Sequence, residues 1–173
     1  MVSSQIEGTQ ATLVDLLNFE ATGSKESSKN PDIREICNYL EALDYARAEL
    51  RKSEGLPLSM RLLNKAHTRL MQGARGADKL PSEIRRSQNW IGGTRPGNAV
   101  FVPPPPHRLP NLLTDFEHFL HTNNEIPPLV RAGLLHVQFE TIHPYLDGTG
   151  RIGRLLVMLL LEDCKGKWGR AQS

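Results

Sequence analysis

Residues 143–154, with the sequence HPYLDGTGRIGR, bring together side chains that could act on a phosphorylated substrate. His143 can exchange a proton near pH 7 and could serve as a general base. Asp147 offers a hard carboxylate of the kind that binds Mg²⁺ bridging phosphate oxygens. Arg151 and Arg154 are three residues apart, so they share one face of the helix that is predicted to begin here.

The two arginines are unusual at a helix N-terminus, because this end carries roughly half a positive charge and favours acidic residues. An external anion would explain them, since the backbone N–H groups of Gly148, Thr149 and Gly150 can form a nest for phosphate oxygens. The simpler alternative is a helix–loop–helix turn in which Asp147 caps the helix and the arginines face solvent. A base, a carboxylate, a nest and two cations within one short stretch favour the polyphosphate site.

The composition is typical of a soluble globular protein. The chain has 173 residues, of which 39% are hydrophobic and 23% are charged, enough for a domain with its own core. The net charge of +2, without a basic block, does not predict binding to nucleic acid. The apolar run Leu155–Leu161 is too short to span a membrane, and residues 1–10 lack the pattern of a signal peptide. Cys37 and Cys164 form no motif, so we expect a reducing, cytoplasmic environment.

Helical periodicity predicts the elements that must position this loop. The predicted helices cover residues 4–19, Pro31 to about Leu50, Ser59 (as cap) to about Met71, Pro110–His121, Pro127–Ile142, and the stretch that follows the loop. The side chains predicted to face inward include Ile33, Ile36, Leu40, Leu43, Leu50, Leu62, Leu63, Ala66, Leu70, Leu129, Ala132, Leu135, Phe139 and Ile142.

Two segments differ from this pattern. Every residue from Leu155 to Leu161 is apolar, which predicts a central helix buried on all sides. By contrast, glycines and prolines interrupt residues 73–108, and IRRSQNWIGGTRPGNAVFV is predicted to form two short strands around a turn. Trp90 within it could anchor either the core or this hairpin. Pro103–Pro106 then hold the chain extended.

The sequence HPYLDGTGRIGR closely resembles the signature of the Fic family, His-x-Phe-x-Asp/Glu-Gly-Asn-Gly-Arg-x-x-Arg. The stretch RRSQNWIGGTRPGNAVFVPPPP is similar to the flap of the subgroup that has an N-terminal helical region. The stretch SSQIEGTQATLVDLL is similar to the inhibitory helix of that subgroup, with Ser3, Glu7 and Gly8 matching Ser/Thr-x-x-x-Glu-Gly. The resemblance therefore covers nearly the whole chain.

The resemblance implies a mainly α fold, a Fic-type helical bundle with a small β-hairpin flap. Residues 1–80 would form the N-terminal helical region with the inhibitory helix. Residues 81–163 would form the Fic core, which is shorter at its C-terminal end than the family pattern, and residues 164–173 a tail.

The function implied by the resemblance is protein adenylyltransfer, in which AMP passes from ATP to a Ser, Thr or Tyr hydroxyl of an unknown target protein or of the chain itself. His143 would be the catalytic base and Asp147 would hold Mg²⁺. The nucleotide-binding residues would be Gly148, Thr149, Gly150, Arg151, Ile152, Gly153 and Arg154. The flap residues that pair with an extended target segment would be Asn89, Trp90, Ile91, Gly92 and Gly93.

Two positions depart from the family signature. Thr149 replaces Asn, and a β-branched residue resists a positive φ, so we expect strain if the loop requires one there. Tyr145 replaces Phe, and we expect its ring to pack only if the hydroxyl finds a partner.

Alternative interpretations remain at this level. Glu7 would reach Arg154 and hinder placement of the γ-phosphate, but Ser4-x-x-Glu7 is also a capping box that needs no further role. The same fold could instead remove AMP or transfer another phosphate-containing group. A catalytically impaired, nucleotide-binding regulatory fragment is the third alternative.

Overall fold

A computed structural model describes residues 31–73, 79–122 and 125–163. These ranges contain five α-helices: α1 (Pro31–Arg51), α2 (Met60–Leu70), α3 (Leu109–His121), α4 (Pro128–Ile142) and α5 (Thr149–Asp163). The mainly α fold predicted from the sequence is confirmed. The predicted helix at residues 4–19, the tail, and with them Ser3, Glu7 and Gly8, lie outside the described residues.

Local sequence explains where the helices begin and end. The Ser59 hydroxyl accepts a hydrogen bond from the N–H of Leu62 at 3.3 Å, so Ser59 caps α2 as predicted. Proline occupies the first turn of α3 and of α4, where the missing N–H costs nothing. Helix α4 ends because His143 adopts a left-handed conformation, with φ 49°, and its N–H returns to the Phe139 carbonyl at 2.9 Å.

The core forms where α5 packs mainly against α4 and also touches α2 and α1. Helix α1 packs along α2, and α3 packs against α4. The most completely buried apolar side chains are Ala42, Ala46, Leu62, Leu63, Ala66, Leu70, Leu109, Phe116, Leu135, Phe139, Tyr145, Ile152, Leu155, Leu156 and Leu159. The loop 143–148 therefore joins the two helices that pack most closely, and its downstream helix is rooted in the core.

Some residues predicted to be buried are exposed. Met158 is 42% exposed, so α5 is not buried on all sides as its sequence predicted. Leu40 and Leu129, placed on inward faces by periodicity, are 40% and 71% exposed. An apolar stripe does not reveal how many neighbours its helix has, and the described helices cover only part of α4 and α5. No helix within the described ranges combines the length and apolar character needed to cross a membrane.

We call residues 86–105 the flap segment, where the sequence predicted a β-hairpin. The described structure has a hairpin-like loop closed by a single antiparallel bridge between Ile91 and Phe101, with N–H···O distances of 2.8 and 3.1 Å. Gly92 and Gly93 begin the connecting loop, with φ angles of 65° and 83°. Pro103–Pro105 have no N–H to donate to a longer ladder, and glycine weakens strand pairing because it has no side chain to pack. Trp90 is 38% exposed and is therefore not a core anchor.

Candidate active site

The predicted base, His143, is held at the C-terminal end of α4. Its left-handed conformation is uncommon for a residue other than glycine. The Arg85 side chain fixes this position by donating from Nε to the His143 carbonyl at 2.8 Å. Burial lowers the pKa of His143, and the positive charge of Arg85 lowers it further, against opposing effects of the Glu140 backbone and the Asp147 carboxylate. A neutral imidazole is therefore favoured, which suits a general base.

Tyr145 anchors the loop that follows the base. Its side chain is fully buried, and its hydroxyl donates to Asn64 Oδ1 at 2.7 Å, so the partner expected for a Tyr at this position is present. Its ring stacks on His67 with centroids 4.0 Å apart and planes 14° from parallel. Burial raises the pKa of this phenol, which keeps it protonated as a donor. The side chain therefore positions the loop and does not act as an acid or base near pH 7.

Gly148 provides the sharp turn into α5. Its φ of +76° lies in the left-handed region, and its carbonyl accepts the first helical hydrogen bond, from Ile152 N at 3.0 Å. A methyl carbon at this position would lie 3.0 Å from both His67 Nε2 and Met71 Sδ. The loop therefore needs glycine here both for its conformation and for its close approach to α2.

The loop does not require a positive φ at Thr149, so the condition for strain there is not met. Positive φ at non-glycine residues of the described chain occurs only at Leu80, Ser82 and His143, whereas Thr149 is the first residue of α5. The left-handed turn is made one residue earlier, by Gly148. The buried Thr149 hydroxyl accepts from the N–H of Tyr145 and donates to its carbonyl, each at 3.3 Å. Threonine is therefore compatible with this loop because it ties the loop to itself.

The two arginines of the motif lie in different environments. Arg151 has a side chain only 6% exposed, and it donates from Nη2 to Asp147 Oδ1 at 2.9 Å and contacts Met71 Sδ at 3.5 Å. Arg154 is half-buried, one helical turn later. Asp147 therefore balances the charge of Arg151 at the helix start, an intrachain alternative to the external anion that the sequence suggested. The two arginines thus differ in exposure, and their binding to one polyphosphate stays a prediction.

The remaining motif residues occupy supporting positions. Ile152 is fully buried in the core, and Gly150 lies partly exposed in the first turn. Gly153 is buried against α4, where a methyl group would collide with Glu140 Oε1. Ile152 and Gly153 thus hold the start of α5 against the core and against α4, and their part in nucleotide binding stays a prediction.

Asp147 is the carboxylate in this site that could hold Mg²⁺. Its side chain is 40% exposed, and one of its oxygens is engaged by Arg151. Within the described residues, no group of three or more His, Cys, Asp or Glu side chains could enclose a metal ion. Mg²⁺ is nevertheless often bound through one carboxylate together with substrate phosphates and water, and a single half-exposed Asp fits that donor set.

His67 and Arg85 were not identified from the sequence. His67 Nε2 donates to the Asp147 carbonyl at 3.0 Å, while its Nδ1 accepts from Ser82 N–H at 2.9 Å. In the sequence, His67 follows the inward-facing Ala66 of α2, and Arg85 precedes a second arginine, Arg86. Both bond to backbone groups that are distant in sequence, and no residue pattern announces such a contact.

The flap segment lies beside the helix that ends at the base. Ile91 and Phe101 line an open groove of about 340 Å³ together with Val137, Thr141, His136 and Glu140 of α4. Ile91, the central residue of the predicted target-binding stretch, therefore lies beside α4. The Asn89 side chain accepts from the Trp90 N–H at 2.9 Å, which stiffens the approach to the bridge.

Two family models match the chain. The model described as Fic/DOC family matches residues 57–161, and the one described as Fic/DOC family N-terminal matches residues 1–48. The protein adenylyltransferase Fic of Drosophila grimshawi is 31% identical over 159 residues, covering 90% of this chain and 31% of that protein. A probable protein adenylyltransferase of Aquifex aeolicus is 36% identical over 84 residues, covering 49% of this chain and 25% of that protein. The chain thus spans less than a third of either relative.

Solved structures show the same fold. A Fic family protein from Desulfovibrio desulfuricans superposes with a TM-score of 0.73 at 28% identity, over 96% of this chain and 47% of that one. A Fic domain-containing signaling protein from Bacteroides thetaiotaomicron superposes with a TM-score of 0.75 at 24% identity, over 92% of this chain and 59% of that one. The family model that matches residues 57–161 covers more than half of the sequence, and we conclude that the chain belongs to the Fic/DOC family.

Proposed function

We propose that this chain transfers AMP from ATP to a hydroxyl group of a protein. The observation that carries the proposal is the position of His143, a base biased toward its neutral form, at the entrance of a glycine turn that leads into a helix N-terminus. The names of the Drosophila and Aquifex relatives support the same reaction.

In this proposal His143 removes the proton from a Ser, Thr or Tyr hydroxyl as its oxygen attacks the α-phosphorus of ATP. The bond between the α-phosphorus and the bridging oxygen breaks, and pyrophosphate leaves. Negative charge moves onto the leaving phosphates, so N–H donors that are already fixed in place stabilise the transition state. The first turn of α5, from Thr149 onward, supplies such donors because its N–H groups have no intrahelical acceptors.

We propose that the two arginines bind different phosphate groups of ATP, according to how exposed each side chain is. Arg154 is the more accessible and would bind the γ-phosphate. Arg151 is buried and holds Asp147, so it would act on the leaving group from the first turn of α5. Asp147 would hold Mg²⁺, which when bound would neutralise the phosphate oxygens around the breaking bond. The half-exposed carboxylate and its single arginine partner support this assignment.

The target segment is proposed to bind along the flap, where Asn89–Gly93 would pair with its backbone. The open groove between the bridge and α4 supports this position, since it brings a bound segment to the helix that carries His143.

Regulation by the N-terminal region completes the proposal. Residues 1–80 would regulate the 81–163 core, and the carboxylate of Glu7 would compete with the γ-phosphate for Arg154. The match of residues 1–48 to the N-terminal family model supports this arrangement, as does the Ser3, Glu7 and Gly8 pattern.

The test uses ATP labelled on either the α- or the γ-phosphate, incubated with the purified chain and Mg²⁺. We expect the α-label to become covalently attached to protein and the γ-label to be released. His143→Ala should reduce labelling by about 10²–10⁴-fold while calorimetric ATP affinity survives. His107→Ala, at an exposed histidine before α3, is the matched control and should label normally. Labelling from the γ-phosphate, or full labelling by His143→Ala, would refute the proposal.

Two alternatives have distinct outcomes in the same assay. An AMP-removing enzyme would release label from a previously modified protein, and an impaired regulatory fragment would bind ATP without transferring it. Glu7→Gly should raise labelling if Glu7 is inhibitory, because glycine in a first helical turn costs at most about 1 kcal/mol. Unchanged or lower labelling would favour the capping role.

A further inference from the structure

Arg85 is a buried cation immediately before the flap segment. It is 2% exposed, and the four hydrogen bonds of its guanidinium all end on backbone carbonyls. Burial lowers the pKa of Arg85, so desolvation of this charge is unfavourable. Because this charge is buried without an acidic partner among its acceptors, we interpret its role as holding the surrounding backbone in place.

Two of these acceptors are the carbonyls of the proposed base, His143, and of the residue before it. Arg85 Nε donates to the His143 carbonyl at 2.8 Å, and Nη2 donates to the Ile142 carbonyl at 3.4 Å. The Arg85 backbone N–H donates to the Pro144 carbonyl at 2.9 Å. These carbonyls lie at the C-terminal end of α4, which carries partial negative charge and lacks intrahelical donors. The guanidinium therefore completes the helix end on which the base is mounted.

The other two acceptors belong to the flap. Nη1 donates to the Ser87 carbonyl at 3.1 Å, and Nη2 donates to the Pro104 carbonyl at 2.6 Å. Ser87 and Pro104 are at the two ends of the flap segment, which the amide of Gln88 also closes by donating to the Pro103 carbonyl at 2.8 Å. A rigid planar fork can reach all these acceptors at once, whereas the single nitrogen of a lysine cannot.

We propose that Arg85 is a positioning residue that fixes both ends of the flap segment relative to His143. The inference rests on the proposed function, because its consequence is that a target segment on the flap presents its hydroxyl to the imidazole. Geometric errors of about 1 Å in such a complex can cost about 10²-fold in rate. None of the carbonyls that accept from Arg85 lies in residues 147–154, so nucleotide binding should not depend on it.

Hydrogen exchange tests whether Arg85 holds the flap segment and the His143 backbone together, and it does not require an active enzyme. Arg85→Lys keeps the charge but loses the fork, and we expect amide exchange to rise about tenfold both in residues 87–104 and at residues 142–145. Arg86→Lys is the matched control, because the Arg86 side chain is 83% exposed and, within the described ranges, pairs with Glu83 at 3.1 Å on the surface. A change on one side only, or an equal change in the control, would overturn the inference.

Transfer kinetics test its consequence. Arg85→Lys should slow α-label transfer at saturating ATP by about 10–100-fold, with the KM for ATP and its Kd unchanged within about twofold. Loss of ATP affinity in parallel with rate would show a merely structural role and overturn the inference, as would a wild-type rate. If the lysine variant does not fold, Gln88→Ala removes a hydrogen bond within the flap segment alone and should slow transfer by about 3–10-fold. Faster exchange in the flap segment with an unchanged transfer rate would overturn the proposed coupling between flap position and catalysis. An inactive wild-type chain would refute the proposed function, and the exchange result would still decide the role of Arg85.

Discussion

His67 and Asp147 are joined by a hydrogen bond in which the imidazole Nε2 donates to the backbone carbonyl of the loop aspartate at 3.0 Å. The Ser82 N–H donates to the other ring nitrogen at 2.9 Å, so the ring is neutral and carries its proton on Nε2. Burial, together with the positive charge of Arg151, lowers the pKa of His67 to about 4. The loop that carries the proposed metal ligand is thus held by a histidine whose protonation would break one of its two hydrogen bonds.

The free energy of unfolding should therefore decrease as the pH is lowered from about 6.5 toward about 4. The unfolded chain binds a proton at His67 near pH 6.5, whereas the folded chain resists protonation down to about pH 4. Protons then favour the unfolded state between these values, and the loss from this residue should be about 2 kcal/mol between pH 7 and pH 5. The measurement is denaturant unfolding at both pH values in a buffer free of divalent cations.

His67→Gln is the comparison for this measurement, because its amide can still donate toward the Asp147 carbonyl but does not titrate. We expect the variant to be less stable at pH 7 and to lose less stability on acidification. Equal losses in both proteins would show that other groups set the acid sensitivity.

Gly148→Ala should destabilise the loop. Alanine is strained at a φ of +76°, and its methyl group would press on His67 and Met71 at 3.0 Å. The expected cost is about 1–3 kcal/mol in the free energy of unfolding. Gly133→Ala is the matched control with the opposite sign, since Gly133 is an exposed residue within α4 where an added methyl meets nothing within 4 Å. It should stabilise the chain by about 0.5–1 kcal/mol.

Removing the Thr149 hydroxyl should lower the free energy of unfolding more than changing the size of the side chain does. Thr149→Val leaves the N–H and the carbonyl of Tyr145 without their 3.3 Å contacts in a buried site, at an expected cost of about 1–3 kcal/mol. Thr149→Ser keeps the hydroxyl and should cost less. If a strained backbone were the main feature of this position, Thr149→Asn would stabilise the chain; the non-positive φ predicts no such gain.

The helices and the loop could be predicted because their signals are local. Ser59 caps α2 through its own neighbours, and His143 and Asp147 belong to one short motif. The positions of Arg85 and His67 could not be predicted, because both side chains bond to backbone atoms that are distant in sequence and come near only when the chain folds. Leu129 was misplaced for a related reason: periodicity identifies an apolar face, but only the packed structure shows whether another element covers it.

The last prediction concerns the pH dependence of transfer, which follows from the surroundings of His143. A general base must be unprotonated, and the pKa of His143 is lowered by burial and by Arg85, with the Asp147 carboxylate opposing both. The rate should therefore persist below pH 6.5, with the acidic limb of the kcat profile at a lower pH than for a free imidazole. Arg85→Gln removes the nearby positive charge and should move that limb upward, toward pH 6.5, whereas Arg86→Gln should leave it in place. The profiles are measured by α-label transfer at saturating ATP and Mg²⁺. An acidic limb above pH 6.5 in the wild-type chain, or an identical limb in Arg85→Gln, would mean that a group other than His143 accepts the proton.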